Sequence, residues 1–354
     1  MVASREEVHR LGLITGSQTR DLKYEHCLSF AHRDWKTQEP KIAELKDVLG
    51  AYRHNISRVR TAITFLANIG SSGVDMQRWA SQAEFDVMGR LGADTSDEQK
   101  TAINDRMAAL SHADVKENFA KVGSPEWDTH VERKNREGML PIQLLCRAKQ
   151  AENAMVEMFA SWITGTWTAF EALAGDLWET SLNIQPEGLA HLGGSPNRYN
   201  KNKNADKNQR QQPRRQEQDE SKSIPLDLIQ AHRFEIRNRM GTILRSKFDF
   251  TKLSGIREAY ACAFDKNDGM IERYLRDDAL DALSAVRNLL VHKRGLVDEK
   301  YLKQTHNLKT VPTADIGKRI ELDGEIVVNL LDPARHCGVT LIAEVDAWIR
   351  KKRG

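Results

Sequence analysis

The chain has 354 residues, of which 40% are hydrophobic and 29% charged, and its formal net charge is +3 at pH 7. This length allows two domains, the composition suits a mostly helical globular protein, and the absence of any long apolar run predicts no membrane span. Four widely spaced cysteines without a C-x-x-C pair argue against a zinc site and are typical of a reducing, cytoplasmic location. We therefore expect no metal and no other cofactor.

The first strong helical pattern follows Pro40. Its apolar residues recur at alternating spacings of three and four, the a/d pattern of a heptad, at Ile42, Leu45, Leu49, Tyr52, Ile56, Val59, Ile63 and Leu66. We expect Gly70 to end this helix. The stripe fits either a coiled-coil seam between two chains or one helix of an antiparallel bundle within a chain. We favour the bundle, because Gly50 and Tyr52 are poor zipper residues.

Capping signals predict the helices that come next. Ser96, with Gln99 three residues later, forms a capping box, and the segment from Ser111 to Asp114 repeats this pattern. Gly123-Ser124-Pro125 then interrupts the chain. Residues 1–140 are therefore expected to form an all-helical region of unknown role, without a catalytic motif.

Pro141 is expected to begin a long apolar helix that runs to about Leu182. A segment rich in Asn, Gln, Lys and Arg follows at about 195–222, and its lack of apolar residues predicts disorder. Residues 198–222 contain eight Lys/Arg and four Asp/Glu, a net charge of +4. An arm that binds RNA phosphates through Arg214 and Arg215 would explain this charge. A solvated loop explains it equally simply, and we favour the loop.

The last third of the chain predicts helices over about 226–245, 251–264 and 269–294. A β-hairpin is expected at about 319–328, because Asp323-Gly324 separates two short apolar runs. Pro333 is expected to begin the final helix, with Val339, Ile342, Val345 and Ile349 as core positions and Trp348 beside them. The predicted fold class is therefore all-α with one short C-terminal hairpin.

One motif points to chemistry. Arg287 is followed by Asn288 and, after three aliphatic residues, by His292, and Gly295 is placed to end the helix. Asn288 and His292 are four residues apart, so they share a helical face, and His292 lies in the last turn, where the helix dipole favours a cation. Similarly spaced pairs, Arg20 with His26 and Arg106 with His112, lack the asparagine and the aliphatic turn.

The stretch RNLLVHKRG resembles the signature of the HEPN superfamily, an Arg, commonly followed by Asn, four to six residues before a His. The upstream sequence WTAFEALAGDLWE is similar to the first core helix of that family, and the downstream Gly295-Leu-Val-Asp298 and Tyr301-Leu302 resemble its bacterial, ribonuclease-like branch. The resemblance covers about residues 150–354, and the domain it predicts runs from 141 to 354. It implies a HEPN-like helical bundle with the basic segment as an insertion.

The resemblance further implies a metal-independent endoribonuclease that pairs as a homodimer, a toxin or antiviral defence effector with a possible antitoxin or defence-system partner. The 2′-hydroxyl of RNA would be the nucleophile, His292 an acid or base, and Arg287 the cation that stabilises the phosphorane. Asn288 would orient His292 or bind a phosphate oxygen. Lys293 and Arg294 would bind RNA beside them. The alternatives are a non-catalytic module that binds RNA or a nucleotide and a scaffold in a larger complex, in which Arg287 and His292 are structural.

The helix before the basic segment supplies further candidates. Glu171 would orient Arg287 or tune His292, or it would form a structural ion pair beside Phe170. The tryptophans of this helix would be base-stacking platforms or core residues, and we favour the core because the helix is otherwise apolar. They are Trp162, Trp167 and Trp178.

Overall fold

A computed structural model of the chain describes residues 22–33, 38–91, 94–186, 226–264 and 269–353. Within these ranges the regular elements are helices, and the one β interaction is an isolated antiparallel bridge between Leu296 and Arg319. The prediction of an all-α fold is confirmed. The basic segment at 195–222, with Arg214 and Arg215, lies outside the described residues.

The helices vary widely in length. In chain order they are α1 (Tyr24–His32), α2 (Ala43–Met88), α3 (Asp97–Lys121), α4 (Trp127–Leu145), α5 (Lys149–Ile184), α6 (Leu226–Ala231), α7 (Met240–Leu244), α8 (Leu253–Ala263), α9 (Gly269–Leu275), α10 (Asp278–Lys293), α11 (Glu299–Thr305) and α12 (Gly324–Arg353). A 3-10 turn, Arg245–Lys247, follows α7.

The chain divides into two compact units that share helices. Unit 1 takes its residues from Met1–Arg33, Arg60–Phe159 and Leu322–Glu325. Unit 2 takes its residues from Asp34–Val59, Ala160–Glu321 and Ile326–Gly354. Both units therefore use residues from either side of position 140, and a domain boundary there stays a prediction.

The first part of α2 belongs to the core of unit 2. Apart from the half-buried Leu66, the predicted heptad residues of this helix are buried. The hydroxyl of Tyr52 lies 3.4 Å from the carbonyl oxygen of Arg335 on α12, and Asp346 accepts hydrogen bonds at 2.9 Å from the amides of Lys41 and Ile42. Because this stripe is buried within one chain, the bundle interpretation is confirmed and the seam between two chains is wrong.

In unit 1, α2 continues past Gly70 to Met88, so the predicted stop is wrong. A Cβ at Gly70 would lie 2.1 Å from the carbonyl oxygen of Gly138, and a Cβ at Gly138 would lie 2.0 Å from that of Ala67. The two glycines allow the backbones of α2 and α4 to touch. An ion pair between Lys134 and Asp75, at 2.6 Å, joins the same two helices.

This close approach predicts opposite effects for two glycines on one helix. Gly70→Ala should destabilise the protein by about 1–3 kcal/mol, because the new methyl group meets backbone that cannot move aside cheaply. Gly73→Ala, at a position with nothing within 4 Å, should stabilise it by roughly 0.5–1 kcal/mol through helix propensity. Urea unfolding of both variants measures the difference. If both variants changed the free energy of unfolding equally and in the same direction, the close contact between α2 and α4 at Gly70 would be contradicted.

Helix α3 begins as predicted. The amide of Gln99 donates to Ser96 Oγ at 3.3 Å, and Gln99 Oε1 accepts from the amide of Ser96 at 2.9 Å. The second capping pattern does not start a helix, because Ser111 lies inside α3 and its hydroxyl donates to the carbonyl of Ala108. The helix ends at Lys121, just before Gly123 with its φ of +80°.

The boundaries of the next helices differ from the prediction. Pro141 lies inside α4, because a helix can continue through proline at the loss of one hydrogen bond. The break comes later, and α5 runs from Lys149 to Ile184. The predicted helix over 226–245 is two short helices, because Arg233 and Phe234 take positive φ values between them.

The predicted C-terminal hairpin is wrong. Instead of a turn, Gly324 begins α12, where its amide donates to the carbonyl of Leu22 and a Cβ would lie 2.0 Å from the carbonyl oxygen of Lys23. Buried residues follow at helical spacing, namely Val327, Leu330, Leu331 and Ala334. Pro333 is therefore inside the helix rather than at its start.

Helix α12 is long and apolar enough, by length and composition, to cross a membrane. Core helices of soluble proteins pass the same test. Its predicted core residues Ile342, Val345, Trp348 and Ile349 are buried, whereas Val339 is half-buried.

Candidate functional site

Helix α10 carries the predicted motif between firmly fixed ends. Asp277 caps its first turn by accepting from the amide of Ala279 at 2.9 Å. At the other end Arg294 and Gly295 both take positive φ, and the Gly295 amide donates to the carbonyl of Leu289 at 3.0 Å. The prediction that Gly295 ends this helix is confirmed. His292 is therefore placed in the last turn.

The two faces of α10 differ in character. Leu280, Leu283, Val286 and Leu289 are buried in the core of unit 2. The opposite face carries Arg287, Asn288 and His292, which all line a cavity of about 700 Å³. The predicted grouping of these three side chains is therefore present in one cavity.

Three helices of unit 2 line this cavity, which is partly open to solvent. Helix α10 also contributes Asp281, Ser284 and Lys293, the start of α8 contributes Lys252 and Ser254, and α11 contributes Lys300 and Gln304. Arg257 of α8 fixes the relative position of α8 and α10 through paired contacts to Asp281, each at 2.9 Å. Sequence patterns did not indicate Lys252 and Ser254, nor Lys300 and Gln304.

Arg287 is the most enclosed of the three motif residues, with 19% of its side chain exposed. Its Nη1 donates to Asn288 Oδ1 at 3.0 Å, and its Nη2 lies 3.8 Å from Glu171 Oε1 on α5. Its Nε is buried and has no hydrogen-bond partner among the described residues. Asn288 thus positions Arg287, and no described hydrogen bond joins it to His292.

Glu171 lies behind Arg287, outside the cavity lining. Its carboxylate accepts a hydrogen bond from Nε1 of Trp167, one turn earlier on α5. Burial raises the pKa of Glu171, although the Trp167 hydrogen bond and the charge of Arg287 oppose the rise. The ion pair between Glu171 and Arg287 is compatible with both the functional and the structural interpretation of Glu171. The geometry favours a role in positioning Arg287 over direct contact with His292.

The tryptophans of α5 are core residues. Trp162, Trp167 and Trp178 are all buried, and Trp178 donates to the carbonyl of Ala259 on α8. The base-stacking alternative is therefore wrong for these rings in this structure.

His292 is exposed and makes no hydrogen bond or ion pair with any described residue. An imidazole in this condition can exchange a proton with a bound ligand without first breaking an internal contact. Lys293 lines the cavity and lies 3.7 Å from Asp298. Arg294 is exposed but does not line the cavity.

The cavity is positively charged. Five Lys/Arg residues and two Asp residues line it, a net charge of +3 before His292 is counted. Such a surface attracts phosphate groups. Within the described ranges, no group of three or more His, Cys, Asp or Glu side chains is placed to bind a metal ion.

The pKa shift of Glu171 predicts how stability depends on pH. Because the folded pKa lies above the ordinary value of 4.5, the stabilising contribution is complete below that value and is lost as the pH rises through the folded pKa. Glu171→Gln, which cannot ionise, should therefore gain stability relative to the wild type as the pH rises from about 4 to about 7.

Glu179 on the same helix provides a matched comparison. Burial alone would raise the pKa of Glu179, but hydrogen bonds from Arg245 and Thr242 outweigh burial and lower it. Glu179→Gln should therefore lose stability relative to the wild type over the same pH interval. Urea unfolding of the three proteins across pH tests both signs. Parallel trends in the two variants would show that Glu171 is not held in a desolvated site.

Comparison with protein-family models, with curated proteins and with solved structures finds no match to the chain. The resemblance to the HEPN superfamily stays a prediction from the motif residues.

Proposed function

We propose that this protein is a metal-independent endoribonuclease whose active site is the cavity around Arg287 and His292. The observation that carries the proposal is the placement of three side chains in one positively charged cavity. They are a histidine without a partner among the described residues, a half-buried arginine and an asparagine that positions the arginine. RNA brings its own nucleophile, the 2′-hydroxyl. A base and a cation at the adjacent phosphate are therefore sufficient groups for cleavage.

In the proposed reaction, His292 removes the proton of the 2′-hydroxyl. The O2′–P bond forms, the P–O5′ bond breaks, and the leaving 5′-oxygen takes a proton from solvent or from the equivalent histidine of a second copy. Arg287 stabilises the extra negative charge on the phosphorane, because its planar guanidinium matches two phosphate oxygens. The products are a 2′,3′-cyclic phosphate and a 5′-hydroxyl.

The positions of the groups around Arg287 support this role. Asn288 and Glu171 contact two different nitrogens of its guanidinium, which restricts the side chain before a ligand arrives. A cation fixed in this way stabilises charge without a reorganisation cost at the moment of reaction.

The resemblance to the HEPN superfamily adds an oligomeric state and a biological role to the proposal. It implies a homodimer that brings two such sites together, and a toxin or antiviral defence effector controlled by an antitoxin or another defence protein. Lys293, beside His292 in the cavity, would bind RNA phosphate. Arg294 would contact RNA beyond the cavity.

Incubation of the purified protein with single-stranded RNA in EDTA tests the proposal. We expect endonucleolytic cleavage that continues without divalent ions. Binding of RNA without cleavage, with affinity that falls as salt rises, would favour the non-catalytic RNA-binding module instead. Cleavage that depends on added Mg²⁺ would overturn the metal-independent mechanism.

A further inference from the structure

The cations of the cavity differ in how far internal contacts restrain them. Arg257 donates hydrogen bonds to Asp281 of α10 and to the carbonyl of Leu275 at the end of α9, so its guanidinium holds these helices against α8. Lys252 pairs with Asp249 at 2.6 Å, and Lys293 has Asp298 nearby. These three side chains would have to give up an internal partner in order to bind a ligand fully.

Lys300 differs from them. It lines the same cavity as the α10 motif, from α11, and it makes no hydrogen bond or ion pair with any described residue. Its backbone is well anchored. Asp298 caps α11 by accepting from the Tyr301 amide at 2.8 Å, and the buried Tyr301 hydroxyl donates to the carbonyl of Pro312 at 2.6 Å. The helix thus presents, from a fixed position, an ammonium group that is unpaired within the described part of the chain.

The size of the cavity suggests what this ammonium group meets. A volume of about 700 Å³ lies within the roughly 300–1,000 Å³ range of small-molecule sites and exceeds what a single phosphate requires. It is sufficient for a nucleotide. When the scissile phosphate of an RNA lies at Arg287 and His292, the cavity still has room for the adjacent phosphate at another part of its lining.

We propose that Lys300 binds a second RNA phosphate, next to the one at which Arg287 and His292 act. The inference rests on the proposed function, because that function fixes the position of the scissile phosphate. The preferred substrate would then be single-stranded RNA with at least two consecutive phosphates. A lysine ammonium is a compact charge well suited to such a contact.

Short substrates test the contact in cleavage. The wild type should cleave a dinucleoside monophosphate more slowly than the same dinucleotide with an added 5′- or 3′-terminal phosphate. Lys300→Ala should reduce that gain in kcat/KM by about tenfold, the usual effect of losing a hydrogen bond to a charged group. Lys303→Ala is the control, because Lys303 is on the same helix, pairs with Glu299 and does not line the cavity.

Binding separates failure of this inference from failure of the enzyme proposal. In His292→Ala protein, which should cleave RNA too slowly to disturb the measurement, fluorescence anisotropy of a labelled RNA oligonucleotide should show about tenfold weaker binding when Lys300→Ala is added. The slope of log affinity against log salt should fall by about 0.7, the value for one phosphate contact on a single strand.

The outcomes of the two experiments are distinct. Two results would support the second phosphate site. Lys300→Ala, but not Lys303→Ala, would lose the gain in kcat/KM from an added terminal phosphate, or would show the smaller salt dependence expected from one lost phosphate contact. Equal behaviour of the two variants in both experiments overturns it, even if the wild type cleaves RNA. Weaker binding with Lys300→Ala, in a protein that never cleaves RNA, supports the phosphate site and contradicts the endoribonuclease.

Discussion

His292→Ala and Arg287→Ala should each lower the rate of RNA cleavage by at least about a hundredfold, the scale of losing an acid–base or electrostatic group. In the proposed mechanism the first variant removes the proton acceptor and the second removes the charge that stabilises the phosphorane. Rates are to be measured in EDTA under single-turnover conditions with saturating enzyme, so that they report the chemical step rather than binding.

Stability measurements separate these effects from loss of the fold. His292 is exposed and without internal contacts among the described residues, so His292→Ala should keep the melting temperature of the wild type. Arg287→Ala leaves the Glu171 carboxylate without its cation, so we expect a modest loss of roughly 1 kcal/mol. Arg287→Lys keeps the charge but loses the planar fork, and should recover stability better than activity.

Matched controls exist for both positions. His306 lies at the end of the neighbouring helix α11, is exposed and does not line the cavity. Arg276 pairs with Glu272 on the surface. His306→Ala and Arg276→Ala should therefore cleave RNA like the wild type. If His292→Ala were equally active, the chemistry would lie elsewhere in the chain.

Ile56→Asp should lower the free energy of unfolding by about 4 kcal/mol or more. Ile56 is fully buried, so the change removes packed apolar surface and places a carboxylate where water does not reach it. Denaturant unfolding followed by circular dichroism gives the value. Ile56→Val, which removes one methylene group, should cost only about 1 kcal/mol and provides a graded second point.

Ser57→Asp is the control for this experiment. Ser57 is the next residue along α2 and is exposed, so the same charge there should change stability by less than about 0.5 kcal/mol. If Ile56→Asp and Ser57→Asp unfolded at the same denaturant concentration, the position of the heptad stripe in the core would be contradicted.

The buried stripe of α2 could be predicted because it depends on period alone. Seven of the eight predicted heptad residues are buried, since apolar side chains at this spacing form one continuous face. The end of the helix could not be predicted in the same way. A glycine such as Gly70 either ends a helix or allows another backbone close to it, and the outcome depends on Gly138, a neighbour far along the chain.

The prediction of a C-terminal hairpin failed for a related reason. Asp323-Gly324 is a strong local signal for a tight turn. In the structure the same glycine fits against the backbone at Lys23, and the apolar residues after it continue the helical period of α12. A periodic pattern of about thirty residues outweighed a two-residue signal, because burial of the long stripe contributes more free energy than the turn.

At the candidate site, the sequence indicated the α10 residues but not those that surround them. Arg287, Asn288 and His292 occur within one and a half turns of a helix, so their proximity follows from spacing. Lys252 and Lys300 carry no motif. They reach the same cavity only because tertiary contacts such as that between Arg257 and Asp281 fix the surrounding helices.

Identification of the RNA ends that the wild type produces in EDTA tests the central claim most directly. Mass spectrometry of the products should show a 2′,3′-cyclic phosphate on one fragment and a 5′-hydroxyl on the other, and both should form at least about a hundredfold more slowly with His292→Ala. Products that carry a 3′-hydroxyl and a 5′-phosphate would contradict attack by the 2′-hydroxyl, and the same products at the wild-type rate from His292→Ala would contradict this cavity as the active site.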